Sequence, residues 1–321
     1  MGEGGNPMRG VLIAILVLCG LLAGPARSAP PVKLRVLIVD GVNNHDWPTT
    51  TATLTDLLRN SKRFEVTVST SPPRDAPAEA WARWRPRFAG HDVVLSNFNG
   101  GDQANAIMWP DGVRRAFETY VRKGGGFVSF HAANNAFPGW TAYEEMVGLL
   151  WRDKNFGPSV YFGDAEQRVV VPTNEGRNPG HGPRHDFTIT TLPTNHPITR
   201  GFPRQWRHVS EQLTHGQHGH DTVVRGNAIT YLSYAWSKDS RAREPMDWVR
   251  RYGRGRIYVT MLGHSWTGEN NPNLQSPGFK ALLLRGVEWA ASGRVTLPPP
   301  SLTETRTGRA LQTISVSDPA G

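Results

Sequence analysis

Apolar residues come in short, dense runs separated by turn-rich stretches. LRVLIV (Leu34–Val39) is continuous and β-branched, as in a strand buried on both faces. FEVTVST (Phe64–Thr70), DVVLSN (Asp92–Asn97) and GFVSF (Gly126–Phe130) repeat the pattern. Between them the spacing turns helical. Pro48 suits a helix start, and Leu54, Leu57 and Leu58 share one face of Thr49–Asn60. A short helix carrying Trp81 and Trp84 is expected in the Pro/Ala stretch of residues 72–86. A helix opening at Pro110 places Val113, Phe117, Tyr120 and Val121 together, with Gly124 as its C-terminal cap. Another is expected from Trp140 to Leu150. This alternation predicts an α/β fold: a doubly wound, mostly parallel sheet flanked by helices.

Beyond Leu150 the pattern changes. Gln167–Pro172 and Asp186–Thr191 read as an antiparallel pair around a Gly/Pro loop, a β-rich insertion without independent stability. HGQHGH (His215–His220) reads as a mobile, Gly-rich lid. Ala228–Tyr234 and Arg256–Leu262 return to the main sheet, with a short strand at Pro245–Val249 between them. A last helix spans Pro277–Ala291. The domain is expected over residues 32–293, followed by a polar, disordered tail over 294–321.

The N-terminus adds a targeting signal. Arg9, an apolar run of about 14 residues and the small residues before Ala29 form a secretory signal over residues 1–28, too short an apolar run to span a bilayer. The chain is therefore expected to be periplasmic or secreted, with no stable membrane insertion. Cys19, the one cysteine, lies inside that signal, so the mature chain has no disulfide, thiolate metal site or cysteine nucleophile. The net charge is +9, but the arginines are scattered and no helix-turn-helix, zinc-finger or RNP pattern exists. A nucleic-acid partner is not expected.

Three strands end in the same way. LRVLIVD leads to His45 and RIYVTML to His264 through short turns rich in Gly or Asn, and GFVSF delivers His131 onto a turn rich in Ala and Asn. In an open α/β sheet, ligands bind beyond the carboxyl ends of the strands. Imidazoles gathered there suit metal ligation or proton transfer.

The residues Asn44-His45-Asp46-Trp47, Gly125–His131, Asn195–Thr199 with Gly201-Phe202, Glu211, Pro245–Trp248 with Tyr252–Arg256, and Leu262-Gly263-His264 together resemble the ThuA-like, trehalose-utilisation family. The resemblance runs from about Leu34 to Ala291. It implies a flavodoxin-like fold of the class I glutamine amidotransferase type. In those enzymes the strand matching Gly126–Phe130 leads to a cysteine; here it leads to His131, so amidotransferase chemistry is excluded. Where the family has an acidic residue before the Glu211 position, this chain has Ser210. The resemblance further implies a role in handling oxidised sugars, the 3-keto glycosides.

His45, His131, His264 and Glu211 form a donor set for a divalent metal with an open position. The histidines could instead hydrogen-bond sugar hydroxyls or merely order their loops. A metal would act on a 3-keto glycoside as a Lewis acid during elimination or hydrolysis. Asp46 and Glu211 are the candidate bases, although Asp46 equally suits a helix start. Trp47, Trp140 and Trp266 offer stacking faces for a sugar ring, and Asn134 and Asn135 offer amides to its hydroxyls. His181 and His185 lie in a loop that could reach the site. The alternative to an enzyme is a non-catalytic sugar-binding protein.

Overall fold

A computed structural model describes residues 1, 2, 4, 32–101, 103–219 and 228–302. The expected signal falls almost wholly outside them. The chain divides into Met1–Val32 and Lys33–Gly321, and the second unit carries every helix and strand described below. Among the described residues no helix is long and apolar enough to cross a membrane.

The first half alternates strand and helix: β1 (Leu34–Asp40), α1 (Trp47–Asn60), β2 (Phe64–Thr70), α2 (Ala78–Arg83), β3 (Val93–Ser96), α3 (Asp111–Arg122), β4 (Gly126–Phe130) and α4 (Thr141–Val147). Strands dominate afterwards. They are β5 (Leu149–Leu150), β6 (Ser159–Phe162), β7 (Arg168–Val171), β8 (Gly180–His181), β9 (His185–Thr191), β10 (Gln205–Glu211) and β11 (Thr214–His215). Then come β12 (His218–Gly219), β13 (Thr230–Ser237), β14 (Ala242–Tyr252) and β15 (Gly255–Thr260), before α5 (Pro277–Ser292).

The main sheet runs β10-β9-β13-β14-β15-β4-β3-β1-β2. From β15 to β2 all neighbours are parallel. Counting β15 as the fifth strand, this is the 2-1-3-4-5 order of a flavodoxin-like fold. From β15 outwards to β10 they are antiparallel. The inner parallel strands β1, β3, β4 and β15 are buried on both faces, whereas the edge strand β2 exposes Glu65, Thr67 and Val68. Leu37, Val39, Val94 and Phe127 pack under Phe117, Val121, Tyr143 and Met146 of α3 and α4. Val36, Ile38, Leu95 and Val128 turn the other way, onto Leu54 and Leu58 of α1 and Leu282 and Val287 of α5. Successive side chains of each strand feed opposite cores, so the runs are apolar throughout. At Gly126 a Cβ would lie 2.4 Å from the Ala290 carbonyl oxygen, so glycine lets α5 close onto β4.

Four expectations need correction. First, β7 and β9 do not pair with each other. β7 pairs with β6, whereas β9 sits between β10 and β13. Phe187 and Ile189 give β9 a buried face that demands an interior position, and β7 keeps the exposed pattern of an edge. Second, the short strand at Pro245–Val249 is part of the 11-residue β14, which turns at Gly253 into β15. Third, His215–Gly219 is no loose lid. It forms β11 and β12, and His218 is fully buried with its ring nitrogens 2.8 and 2.7 Å from the carbonyl oxygens of Gly157 and Arg177. His220 lies outside the described residues. Fourth, the start of the expected tail is docked. Val295, Leu297 and Leu302 pack on the α1/α5 core, and Glu288 accepts hydrogen bonds from the Thr296 and Leu297 N–H groups. The remainder of the tail lies outside the described residues.

Candidate functional site

β1, β4 and β15 belong to the parallel run of the sheet, so their carboxyl ends open on one edge. The turns there bring His45, His131 and His264 together. Their ring centroids are 4.9 Å (His45–His131), 4.4 Å (His45–His264) and 5.1 Å (His131–His264) apart. One nitrogen from each lies within 4.8 Å of the others. His131 directly follows β4 at φ +42°, a costly left-handed conformation for a residue with a side chain.

Second partners orient the rings. His131 Nδ1 is 2.7 Å from the Met261 carbonyl oxygen, to which it donates; Nε2 then faces His264 Nδ1 at 3.3 Å. His45 Nδ1 donates to Asn43 Oδ1 at 3.0 Å, and Asn43 is held by donating to the Asn97 carbonyl. In both rings this leaves the Nε2 lone pair for the cluster, the usual arrangement behind a metal-binding imidazole.

All three rings are kept neutral. Burial, then the neighbouring His131 and His181, push the His45 pKa down to about 3. Burial, then His131 and His45, hold His264 well below the ordinary imidazole range. Burial lowers His131 too, against an opposing pull from Glu211 and the Met261 carbonyl. Neutral imidazole is the form that ligates a cation.

Glu211 is not one of the converging donors. It is fully buried behind them. Oε2 accepts hydrogen bonds from Gly263 N (2.7 Å), His264 N (3.3 Å) and Asn273 Nδ2 (2.9 Å), and Oε1 from Gln212 N (2.9 Å). His208 Nε2 lies 3.5 Å away. Burial raises its pKa more than any other single influence, but His208, His131 and the Gly263 N–H together bring it below the ordinary value. Glu211 therefore stays ionised and fixes the turn that presents His264. Its oxygens are taken up by backbone N–H groups and the Asn273 amide. Ser210, just before it, adopts φ +51° at an irregularity in β10 and accepts a hydrogen bond from Arg184.

Other candidates divide likewise. Asp46 caps α1 by accepting a hydrogen bond from Thr49 N, the helix-start role. Trp47 is the first residue of that helix and does not line the cavity. Trp140 is buried in the aromatic core, stacked on Tyr143 at 5.5 Å, so its sugar-stacking role is withdrawn. Asn134 is also withdrawn. It is fully buried, with Nδ2 donating to the Leu149 carbonyl and Oδ1 accepting from Trp151 N. Trp266 braces the His264 ring at 4.1 Å, with the Arg184 guanidinium 4.2 Å over its own ring. His185 faces a different groove.

A cavity of about 480 Å³ opens over the histidine cluster. Asn135 lines it as expected, beside Asn44, His181 and Thr214. Trp151 lines it too and carried no sequence signal, being one more aromatic after an apolar pair. His181 and Thr214 arrive opposite one another on the small β8–β11 ribbon.

A doubly wound α/β protein with a three-histidine cavity at its strand ends is the class these features define. The family model for trehalose utilisation, ThuA, matches residues 35–290, and the chain belongs to that family. Among solved structures, a putative ThuA-like protein from Parabacteroides merdae ATCC 43184 is 34% identical, with a TM-score of 0.76 over 85% of this chain and 96% of that one. A putative ThuA-like protein from Bacteroides uniformis ATCC 8492 is 14% identical and shares the fold, with a TM-score of 0.54 over 85% of this chain and 97% of that one. No curated protein matches.

Proposed function

We propose that this chain is an exported carbohydrate-processing enzyme that holds a divalent metal on His45, His131 and His264 and cleaves 3-keto glycosides. Membership of a trehalose-utilisation family supports the carbohydrate role. The observation that carries the reading is the convergence of three neutral imidazoles, one nitrogen of each lying within 4.8 Å of the others, in a cavity of about 480 Å³.

A divalent cation there supplies Lewis-acid stabilisation to negative charge growing on a carbonyl oxygen. The chain does the rest. In a sugar oxidised at C3 the C2–H is acidified by the adjacent carbonyl. A base takes that proton. The electron pair of the C2–H bond becomes the C1=C2 double bond as the C1–O bond breaks, and the departing oxygen takes up a proton. Asp46 and Glu211 are both committed to backbone N–H groups. We assign the proton to His181, the titratable side chain on the described cavity wall outside the metal set. Its Nδ1 sits 3.2 Å from the Gly182 carbonyl oxygen, which leaves Nε2 as the basic nitrogen.

Incubating purified protein with 3-keto-trehalose, before and after chelation and metal replacement, tests this. Glucose release that stops on chelation and returns with metal is expected. Tight binding of unoxidised trehalose without turnover of the keto sugar would establish the sugar-binding alternative instead.

A further inference from the structure

We infer that Trp151 is the platform on which the sugar ring lies, and that the ligand's seated part is uncharged. This rests on the carbohydrate role proposed above, though not on the metal. Trp151 follows β5 directly and is half-buried on the cavity wall. Its ring lies 5.9 Å from that of His181, which lies 6.3 Å from His264, so indole, wall and histidine cluster enclose one space.

The backbone beneath Trp151 is pinned to the turn that carries His131. Asn134 Oδ1 accepts from Trp151 N at 2.7 Å. Arg152, only 6% exposed, donates to the carbonyls of Asn135 (2.9 Å) and Ala136 (2.8 Å) and pairs with buried Glu144 at 3.3 Å. Placing an ion pair out of water is costly unless its donors and acceptors are satisfied. Here that pair locks an indole to the histidine turn. Such locking is what a binding site needs to hold a ligand at fixed distance from reacting groups. Trp140, by contrast, packs in the aromatic core with the Arg114 guanidinium 5.8 Å from its ring.

A flat indole matches the C–H face of a pyranose. The rest of the described lining is amide, hydroxyl, imidazole and backbone, with no Lys, Arg, Asp or Glu in it, in a chain of net charge +9. A phosphate or carboxylate seated against Trp151 would meet no cationic side chain of the described lining, only an ion held at the histidines. The cavity falls in the size range of small-ligand sites.

Calorimetric titration of the chelated, metal-free protein, which binds 3-keto-trehalose without cleaving it, with trehalose, 3-keto-trehalose and trehalose 6-phosphate tests both parts. Trp151→Ala should weaken binding of the neutral sugars at least tenfold, while Trp151→Phe stays within about threefold of wild type because it keeps an aromatic face. Metal content should be unchanged in both variants. The phosphorylated sugar should bind at least tenfold more weakly than trehalose. Equal binding by Trp151→Ala, equal loss in Trp151→Phe, or tighter binding of the phosphate would each overturn the inference. Wild-type protein that binds none of these sugars would overturn the carbohydrate role with it; a failure confined to the variants would leave that role standing.

Discussion

From β1 through β3 and β4 to β15 the strands have helices on both sides, α1 and α5 on one face and α3 and α4 on the other. Between β14 and β10 the strands run antiparallel, helices reach them only in part, through α4 on β14 and α5 on β10, and short ribbons such as β8–β11 are added. The histidines come from the first region. The cavity wall (Trp151, His181, Thr214) and the carboxylate behind His264 come from segments outside it. A parallel sheet fixed on both faces gives the geometric constancy that a ligand set requires. The strand-rich region can change its loops without disturbing that set, so it is where ligand preference is expected to reside.

The largest effect should come from breaking the parallel region's contribution. His131→Ala should lower metal affinity more than about 100-fold by dialysis and metal analysis, since even outer-shell changes cost about 10- to 100-fold. Glu211→Gln probes the other region. It keeps the shape but removes the charge that receives the Gly263 and His264 N–H groups, and should cost about 10- to 100-fold in metal affinity. If Glu211→Gln matches wild type, the second region merely covers the site. Trp140→Ala should destabilise the fold by about 3–5 kcal/mol in denaturant titration, with metal stoichiometry intact, because it opens a hole in the aromatic core. Asp46→Ala should cost about 1 kcal/mol through loss of the α1 cap and leave sugar turnover in place; abolished turnover would return the base role to Asp46.

The smallest effect lies in acid stability. Burial first, then Arg200, lowers the His196 pKa from 6.5 to about 4. The unfolded chain therefore binds a proton before the folded one does, so this residue's contribution to stability is lost as pH falls from about 6.5 towards 4. His196→Asn should flatten the fall of melting temperature over that window, and an unchanged slope would remove His196 from the account.

The three clustered histidines are legible because each follows an apolar run that could only be a buried strand, and such strands place their carboxyl ends together. Asn43, which orients His45, could have been read from its place two residues earlier in the same turn. Trp140 misled because indole suits a core and a binding face equally, and only its neighbours decide. Glu211 was placed near the site correctly, but its role depended on Gly263, His264 and Asn273, all more than 50 positions away. Strand pairing in the antiparallel region failed for the same reason: β6 and β10 carry weak periodicity and acquire meaning only beside β7 and β9.

β15 occupies the middle of the sheet, between β4 and β14, although it is the last strand made. A polypeptide cut short before Gly255 would leave both neighbours with a bare row of amide and carbonyl groups, an invitation to pair with other molecules. Truncated products of this chain should consequently clump rather than persist as half-built monomers, and the ribosome must pass Thr260 before a copy becomes safe from aggregation.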